Sequence, residues 1–207
     1  MVRRDLFFLG GLGVPAFLFV PWFILLRWHG HKVHVVPNSL TTLDPVSKFA
    51  ESFIHCSSRH DRFDVLGVSY GGNAALYAVH LRPELAAKVR KMVLVCSPIL
   101  GAPIVIEPIR KFFPGPFGKV AREMSENSTV TNCIRRLSSK DRITFDLHCM
   151  YHERDLMAPF RTATLPGVGT NHRLEFAWTL VPGMVMHQAA CINPRTFKTA
   201  LRILQEP

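Results

Sequence analysis

Two hydrophobic patterns alternate along the chain. Short apolar runs at 5–9, 64–68 and 92–96 have the length of buried strands, and 32–36, ended by Pro37, reads as another strand. The stretches between them carry helical spacing. A glycine loop at 10–14 follows the first run and leads into a helix expected over 15–28. Pro15 suits a first helical turn, Pro21 demands a kink or a break, and Gly30 supplies a stop. A polar loop at 38–44 precedes a second helix over 46–56. A third helix follows residue 69 and ends before Pro83. The first hundred residues therefore alternate strand and helix. That alternation predicts a parallel sheet with helices on both faces.

The rhythm breaks over 97–142. Pro98, Pro103, Pro108, Pro114 and Pro116 fall there, with the apolar pair Phe112-Phe113 and several basic residues. We read an excursion at about 98–142 within one domain spanning 1–207, with a lid or cap as one role and core packing under a long loop as the other. Strict alternation returns at 143–150 and again at 174–180, the pattern of half-buried strands. A last helix is capped by Asn193 and opened by Pro194, with Phe197, Ala200, Leu201 and Leu204 on its apolar face. The chain has no internal repeats.

One run invites another reading. Residues 6–26 are 21 positions without a charge, flanked by Arg3, Arg4 and Arg27. That length could span a bilayer. Gly10, Gly11, Gly13 and Pro15 interrupt it, however, and no small-residue cleavage site follows. Strand, loop and helix divide it better, and a cytoplasmic location is favoured over a secreted or anchored one.

Composition narrows the function classes. With 207 residues, 48% of them hydrophobic and 19% charged, the chain can bury a substantial core. The net charge of +10 is scattered, without an arginine-rich run or a nucleic-acid motif, so no nucleic-acid partner is expected. A peripheral membrane contact stays open. Cys56, Cys96, Cys133, Cys149 and Cys191 are an odd number without paired spacing, which argues against disulfides and zinc. His29, His31 and His34 stand close together, but no carboxylate or cysteine accompanies them, and no metal is expected there.

The chemistry centres on Gly67-Val68-Ser69-Tyr70-Gly71. A strand precedes it and a helix follows. This is the G-x-S-x-G pattern in which a serine occupies a tight strand-to-helix turn. The turn is crowded, so the positions two before and two after the serine must lack side chains. Ser69 would stand at a helix N-terminus, where free N–H groups favour developing negative charge. A serine nucleophile needs a histidine base and an acid to orient it. Asp155 follows the strand at 143–150. His187 follows the strand at 174–180 and lies in the loop before the last helix. His172 is the competing base, but it precedes that strand and so falls at the sheet's far edge.

With these residues the chain resembles the α/β-hydrolase superfamily, most closely its small lipases and esterases with a minimal sheet. The resemblance rests on Gly67-Val68-Ser69-Tyr70-Gly71-Gly72, on Ser97-Pro98-Ile99-Leu100-Gly101-Ala102-Pro103, on Asp155 with Pro159, and on His187 before the closing helix. It implies an α/β-hydrolase fold, with Ser69 as nucleophile, His187 as base and Asp155 as orienting acid. The backbone N–H groups of Leu12 and Tyr70 would form the oxyanion hole. Gly10-Gly11 stands where the family usually has His-Gly; the donor is a backbone group, so glycine can replace histidine. The implied substrate is a small-molecule ester or a lipid, and no cofactor or metal is needed. Acyl transfer, thioester hydrolysis and a catalytically defective binding protein share the same sequence features.

Overall fold

The computed structural model describes residues 3–12, 16–37, 44–102, 116–138, 142–175 and 183–207. Among these, six strands form one sheet: β1 (Arg4–Leu9), β2 (His31–Val35), β3 (Phe63–Val68), β4 (Val89–Val95), β5 (Asp146–Tyr151) and β6 (Thr170–Arg173). The order is β2-β1-β3-β4-β5-β6, and each neighbouring pair is parallel. The register brings Leu9 beside Gly67, Val68 beside Val95 and Val95 beside Met150. The carboxyl ends of the central strands thus finish at one level, and the loops leaving them meet there.

Side-chain alternation along the inner strands feeds two cores. Phe7, Leu9, Val65, Met92, Leu94 and Leu147 face one side. They pack against α2 (Val46–Ser57) and α3 (Tyr70–Leu81). Ala74, Ala75 and Ala78 let α3 lie close to the sheet. Leu6, Phe8, Leu66, Val68, Val93 and Val95 face the other side. There they meet α1 (Val20–Trp28) and the C-terminal α9 (Pro194–Gln205). The remaining helices are α4 (Leu85–Lys88), α5 (Pro116–Glu123), α6 (Thr129–Arg135), α7 (Phe160–Ala163) and α8 (Gly183–Ile192).

The uncharged run at 6–26 divides between sheet and helix. After β1 and its loop comes a 3-10 turn, Ala16–Phe19, and then α1. Pro21 sits in the first turn of α1, where its missing N–H costs no hydrogen bond. The break expected near Pro21 therefore falls just before it. Phe8 holds the segment down, with ring centroids 4.9 Å from Phe19 and 4.8 Å from Phe23. Among the described residues no helix is long and apolar enough to cross a membrane.

In the excursion, residues 103–115 and 139–141 lie outside the described part. α5 and α6 contribute Val120, Ala121, Val130 and Ile134 to the core over α3. The sixth strand occupies Thr170–Arg173, which no apolar pattern marked; Leu174 and Glu175 lie outside it, and the rest of the strand expected at 174–180 falls outside the described residues. The pattern missed β6 because of its place at the sheet edge. Thr170, Asn171 and Arg173 are exposed, so the strand has no buried apolar face for a periodicity to record.

Opposite the strand carboxyl ends, a charged latch fastens α9. Asp64 is buried on β3 and takes a bidentate pair from Arg90, at 2.8 and 2.9 Å. Arg90 Nη2 also donates to Leu204 O at 2.8 Å, and Lys91 Nζ donates to Ile203 O at 3.0 Å. Two cations thereby satisfy carbonyls at a helix C-terminus, where the dipole favours positive charge.

Close backbone approach gives a test of the fold. A Cβ on Gly71 would stand 2.1 Å from Leu9 O and 2.5 Å from Leu9 C. Both obstacles are backbone in the central sheet and cannot swing aside. Gly71→Ala is expected to cost on the order of 4 kcal/mol or more. Chemical denaturation of the purified variant reads this directly; a midpoint matching the parent would refute the packing.

Candidate active site

β3 ends at Val68 and α3 begins at Tyr70, so Ser69 alone makes the turn. Its φ is +51°, in the left-handed region that side chains seldom occupy. Neighbours hold it there. The Ser69 N–H donates to Val95 O at 2.8 Å, and the Gly72 N–H donates to Ser69 O at 3.0 Å. A Cβ on Gly67 would lie 2.8 Å from Gly72 Cα, and one on Gly72 would run into the Ser97 side chain, so neither position admits a side chain. The strained turn aims Oγ toward the carboxyl end of the sheet, and strained residues of this kind cluster at active sites.

Ser69 Oγ lies 2.7 Å from His187 Nε2, and His187 Nδ1 lies 2.7 Å from Asp155 Oδ2. The carboxylate accepts from Nδ1–H, which leaves Nε2 free to accept from the hydroxyl. Asp155 is itself fixed: Oδ1 accepts from the Met157 N–H at 2.9 Å and the Ala158 N–H at 3.0 Å. All three residues are almost fully buried, at 3%, 3% and 1% exposure for Ser69, His187 and Asp155. Low dielectric strengthens each charge interaction among them. The three residues singled out in the sequence thus come together, from loops and elements 118 positions apart in the chain.

His187 arrives differently from the expectation. It lies on α8 (Gly183–Ile192), not in a loop. The helical spacing brings Cys191 onto the same face, with Sγ 3.9 Å from His187 Nε2. Cys191 was not singled out as a site residue; reading 183–192 as helix would have placed it there. Burial works against an imidazolium at His187. The Cys191 sulfur and the Asp155 carboxylate favour one, and the balance raises its pKa above the ordinary 6.5. Cys96, directly after β4, is the other non-glycine residue with positive φ among those described, at +47°. Its thiol pairs with Cys191, so two buried sulfurs back the histidine. His172 lies elsewhere. It sits within β6, its Nε2 3.0 Å from His148 Nδ1.

The loop after β1 runs over the serine. A Cβ on Gly11 would come within 3.0 Å of Ser69 Cβ and 3.6 Å of its Oγ. Leu12 follows in the same loop and packs its side chain against the core. Tyr70 opens α3, and its side chain is anchored away from the serine, with Oη donating to Asp44 O at 2.9 Å. Its backbone N–H is at the helix N-terminus. The arrangement can activate a hydroxyl and receive a negative oxygen beside it.

One further group could hold a metal. His34 Nε2 and His60 Nδ1 bond the two oxygens of Asp5, at 2.6 and 3.0 Å. The three donor atoms lie within 4.8 Å of one another. The carboxylate that the sequence around His34 lacked comes from β1. This group is at the amino ends of the strands, away from Ser69, and Lys32 Nζ stands 4.0 Å from the same carboxylate.

No protein-family model matches the sequence, and no curated protein sequence does. Solved structures do match its fold. Lipase B of Aspergillus fumigatus superposes with a TM-score of 0.70 at 18% identity, over 99% of this chain and 53% of the lipase. The chain thus spans about half of that lipase's length. A bromoperoxidase from Bacillus anthracis gives a TM-score of 0.70 at 10% identity, over 99% of this chain and 93% of the other. A metagenomic carboxyl esterase gives 0.68 at 14%, over 99% and 76%. At such identities the likeness speaks for the fold alone, and the fold is that of the α/β-hydrolases, as the resemblance implied.

The electrostatics of His187 can be checked without any substrate. Removing the Asp155 charge leaves burial less opposed, so Asp155→Asn should lower the His187 pKa by about one unit or more. Histidine ring resonances followed by NMR across pH would report it. An unchanged titration in the variant would contradict the Nδ1–carboxylate bond.

Proposed function

We propose that the protein is a serine hydrolase that cleaves carboxylic esters with apolar acyl groups. The observation carrying this reading is the continuous relay from Ser69 Oγ through His187 to Asp155, with both bonds at 2.7 Å. A serine in a left-handed turn with a hydrogen-bonded imidazole and a twice-anchored carboxylate has little structural purpose of its own. Each feature lowers the cost of forming an alkoxide equivalent.

The steps follow from the atoms. His187 Nε2 takes the hydroxyl proton as Ser69 Oγ adds to the ester carbonyl carbon. Asp155 holds the Nδ1 tautomer and stabilises the imidazolium that forms. The carbonyl oxygen becomes an oxyanion, which the N–H groups of Leu12 and Tyr70 would receive. As the tetrahedral intermediate collapses, the C–O bond breaks and the departing alkoxide takes the proton from His187. Water then repeats the sequence on the acyl-serine, releasing the carboxylic acid and restoring the hydroxyl. The lipase and carboxyl esterase among the solved structures of this fold support an ester as substrate.

A fluorophosphonate probe tests the nucleophile. The parent protein should be labelled on Ser69, and Ser69→Ala should lose labelling and about 10³-fold or more of ester turnover. Equal turnover in pure Ser69→Ala protein would end the hydrolase reading.

A second test concerns the base. His187→Ala should abolish turnover of a p-nitrophenyl ester while His172→Ala retains most of it. Because the His187 pKa is raised, the base is protonated and idle at low pH. Activity should therefore climb with pH through a value above 6.5. A profile already flat below that pH, or the opposite pattern of variants, would overturn the assignment.

A further inference from the structure

The uncharged run at 6–26 is only half absorbed by the core. Trp22, Phe23 and Leu26 turn inward on α1. The opposite side of α1 and its preceding turn is apolar as well. Phe17 is 65% exposed, Ile24 57% and Trp28 82%, and Val20 and Leu25 stand beside them. At 3.6 residues per turn, Val20, Ile24 and Trp28 fall on one stripe. Arg27 is the one charge along this exposed side. Scattered exposed apolar residues are ordinary, but a continuous stripe along a helix marks a contact surface.

A second observation bears on what covers it. α9 lies beside α1 on the same face of the sheet. Trp22 and Phe197 have ring centroids 4.8 Å apart, and Gln205 Nε2 meets His29 Nδ1 at 2.7 Å. The two helices therefore run in the same direction, side by side. The outward side of α9 carries Arg195, Lys198 and Arg202, at i, i+3 and i+7, all exposed. No carboxylate occurs from 16 to 29 or from 194 to 205. An apolar stripe ending in an exposed tryptophan thus runs parallel to a ridge of three cations.

We infer that this face of α1 and α9 docks on an anionic lipid surface. The stripe inserts among acyl chains and Trp28 sits at the headgroup level, where indole rings favour the interface. The ridge meets lipid phosphates and carboxylates, each cation adding to binding near an anionic bilayer. A second copy of the chain would set two such ridges against each other, and like charges oppose that pairing. A nucleic acid would engage the ridge but leave the stripe in water.

The test is co-sedimentation of the full chain with phosphatidylcholine vesicles, with and without phosphatidylserine, read together with Trp fluorescence. Binding should require phosphatidylserine, weaken with salt, and shift the Trp emission to the blue. Ile24→Ser with Trp28→Ser should reduce partitioning at least about tenfold, and Arg195→Gln with Lys198→Gln and Arg202→Gln should remove the preference for phosphatidylserine. Both variants touch only exposed side chains, and circular dichroism melts would verify their folding. Failure of the folded parent to bind phosphatidylserine vesicles at low salt would overturn the proposal. So would binding indifferent to the Ile24 and Trp28 changes, or a dimer in sedimentation that those changes dissolve. None of these readouts involves ester turnover, so the hydrolase reading can fail without affecting them.

Discussion

One backbone angle organises the carboxyl end of this molecule. Ser69 holds φ at +51° between a buried strand and a buried helix, with no spare residue in the turn. Such a conformation costs of order 1–3 kcal/mol and persists only where surroundings leave no alternative. Here the surroundings are glycines. Gly67 and Gly72 cross within a distance that admits no Cβ, and Gly71 lies against the backbone of β1. The close packing of β1, β3 and α3 fixes the serine. The same packing draws the Gly10–Leu12 loop over it, because that loop continues from the strand on which Gly71 rests.

The relay depends on that placement and on two further supports. Asp155 is oriented by two backbone N–H groups, so its free oxygen has one direction to point. His187 is carried by a helix whose Ala190 and Cys191 are buried in the core with Phe197 of α9. α9 in turn is fastened to the opposite end of the sheet by Arg90 and Lys91 on its terminal carbonyls. Breaking a buried pair such as Asp64–Arg90 leaves an uncompensated charge, which is strongly destabilising. The latch and the relay thus sit at opposite ends of one layer and hold the same helices.

Much of this was legible in the residues. The apolar runs marked β1, β3 and β4 because strands buried on both faces need no alternation, only length; β2, an edge strand with Lys32 exposed, showed only as a short stretch closed by Pro37. The glycine spacing around Ser69 recorded a steric demand, and the resemblance to the α/β-hydrolases supplied the order of Ser69, Asp155 and His187. Other features left weaker traces. β6 is an exposed edge strand of polar residues, so it has no apolar rhythm to read. The stretch around His187 reads as a loop feeding the last helix when placed only by the strand expected before it, so the helical spacing that sets Cys191 beside His187 left no trace there. The Asp5, His34 and His60 group joins two strands and the segment before β3, and has no local spacing at all. The long uncharged run was ambiguous for a physical reason: part of it is core and part faces solvent, and hydropathy cannot tell these apart.

The central claim is that Ser69 is poised for attack with an oxyanion site built by Leu12 and Tyr70. A crystal structure of the protein after reaction with a phosphonate ester tests it most directly. The account predicts phosphorus bonded to Ser69 Oγ, with the phosphoryl oxygen about 3 Å from the Leu12 and Tyr70 nitrogens. Phosphorus on another residue, or a phosphoryl oxygen turned away from both N–H groups, would contradict it.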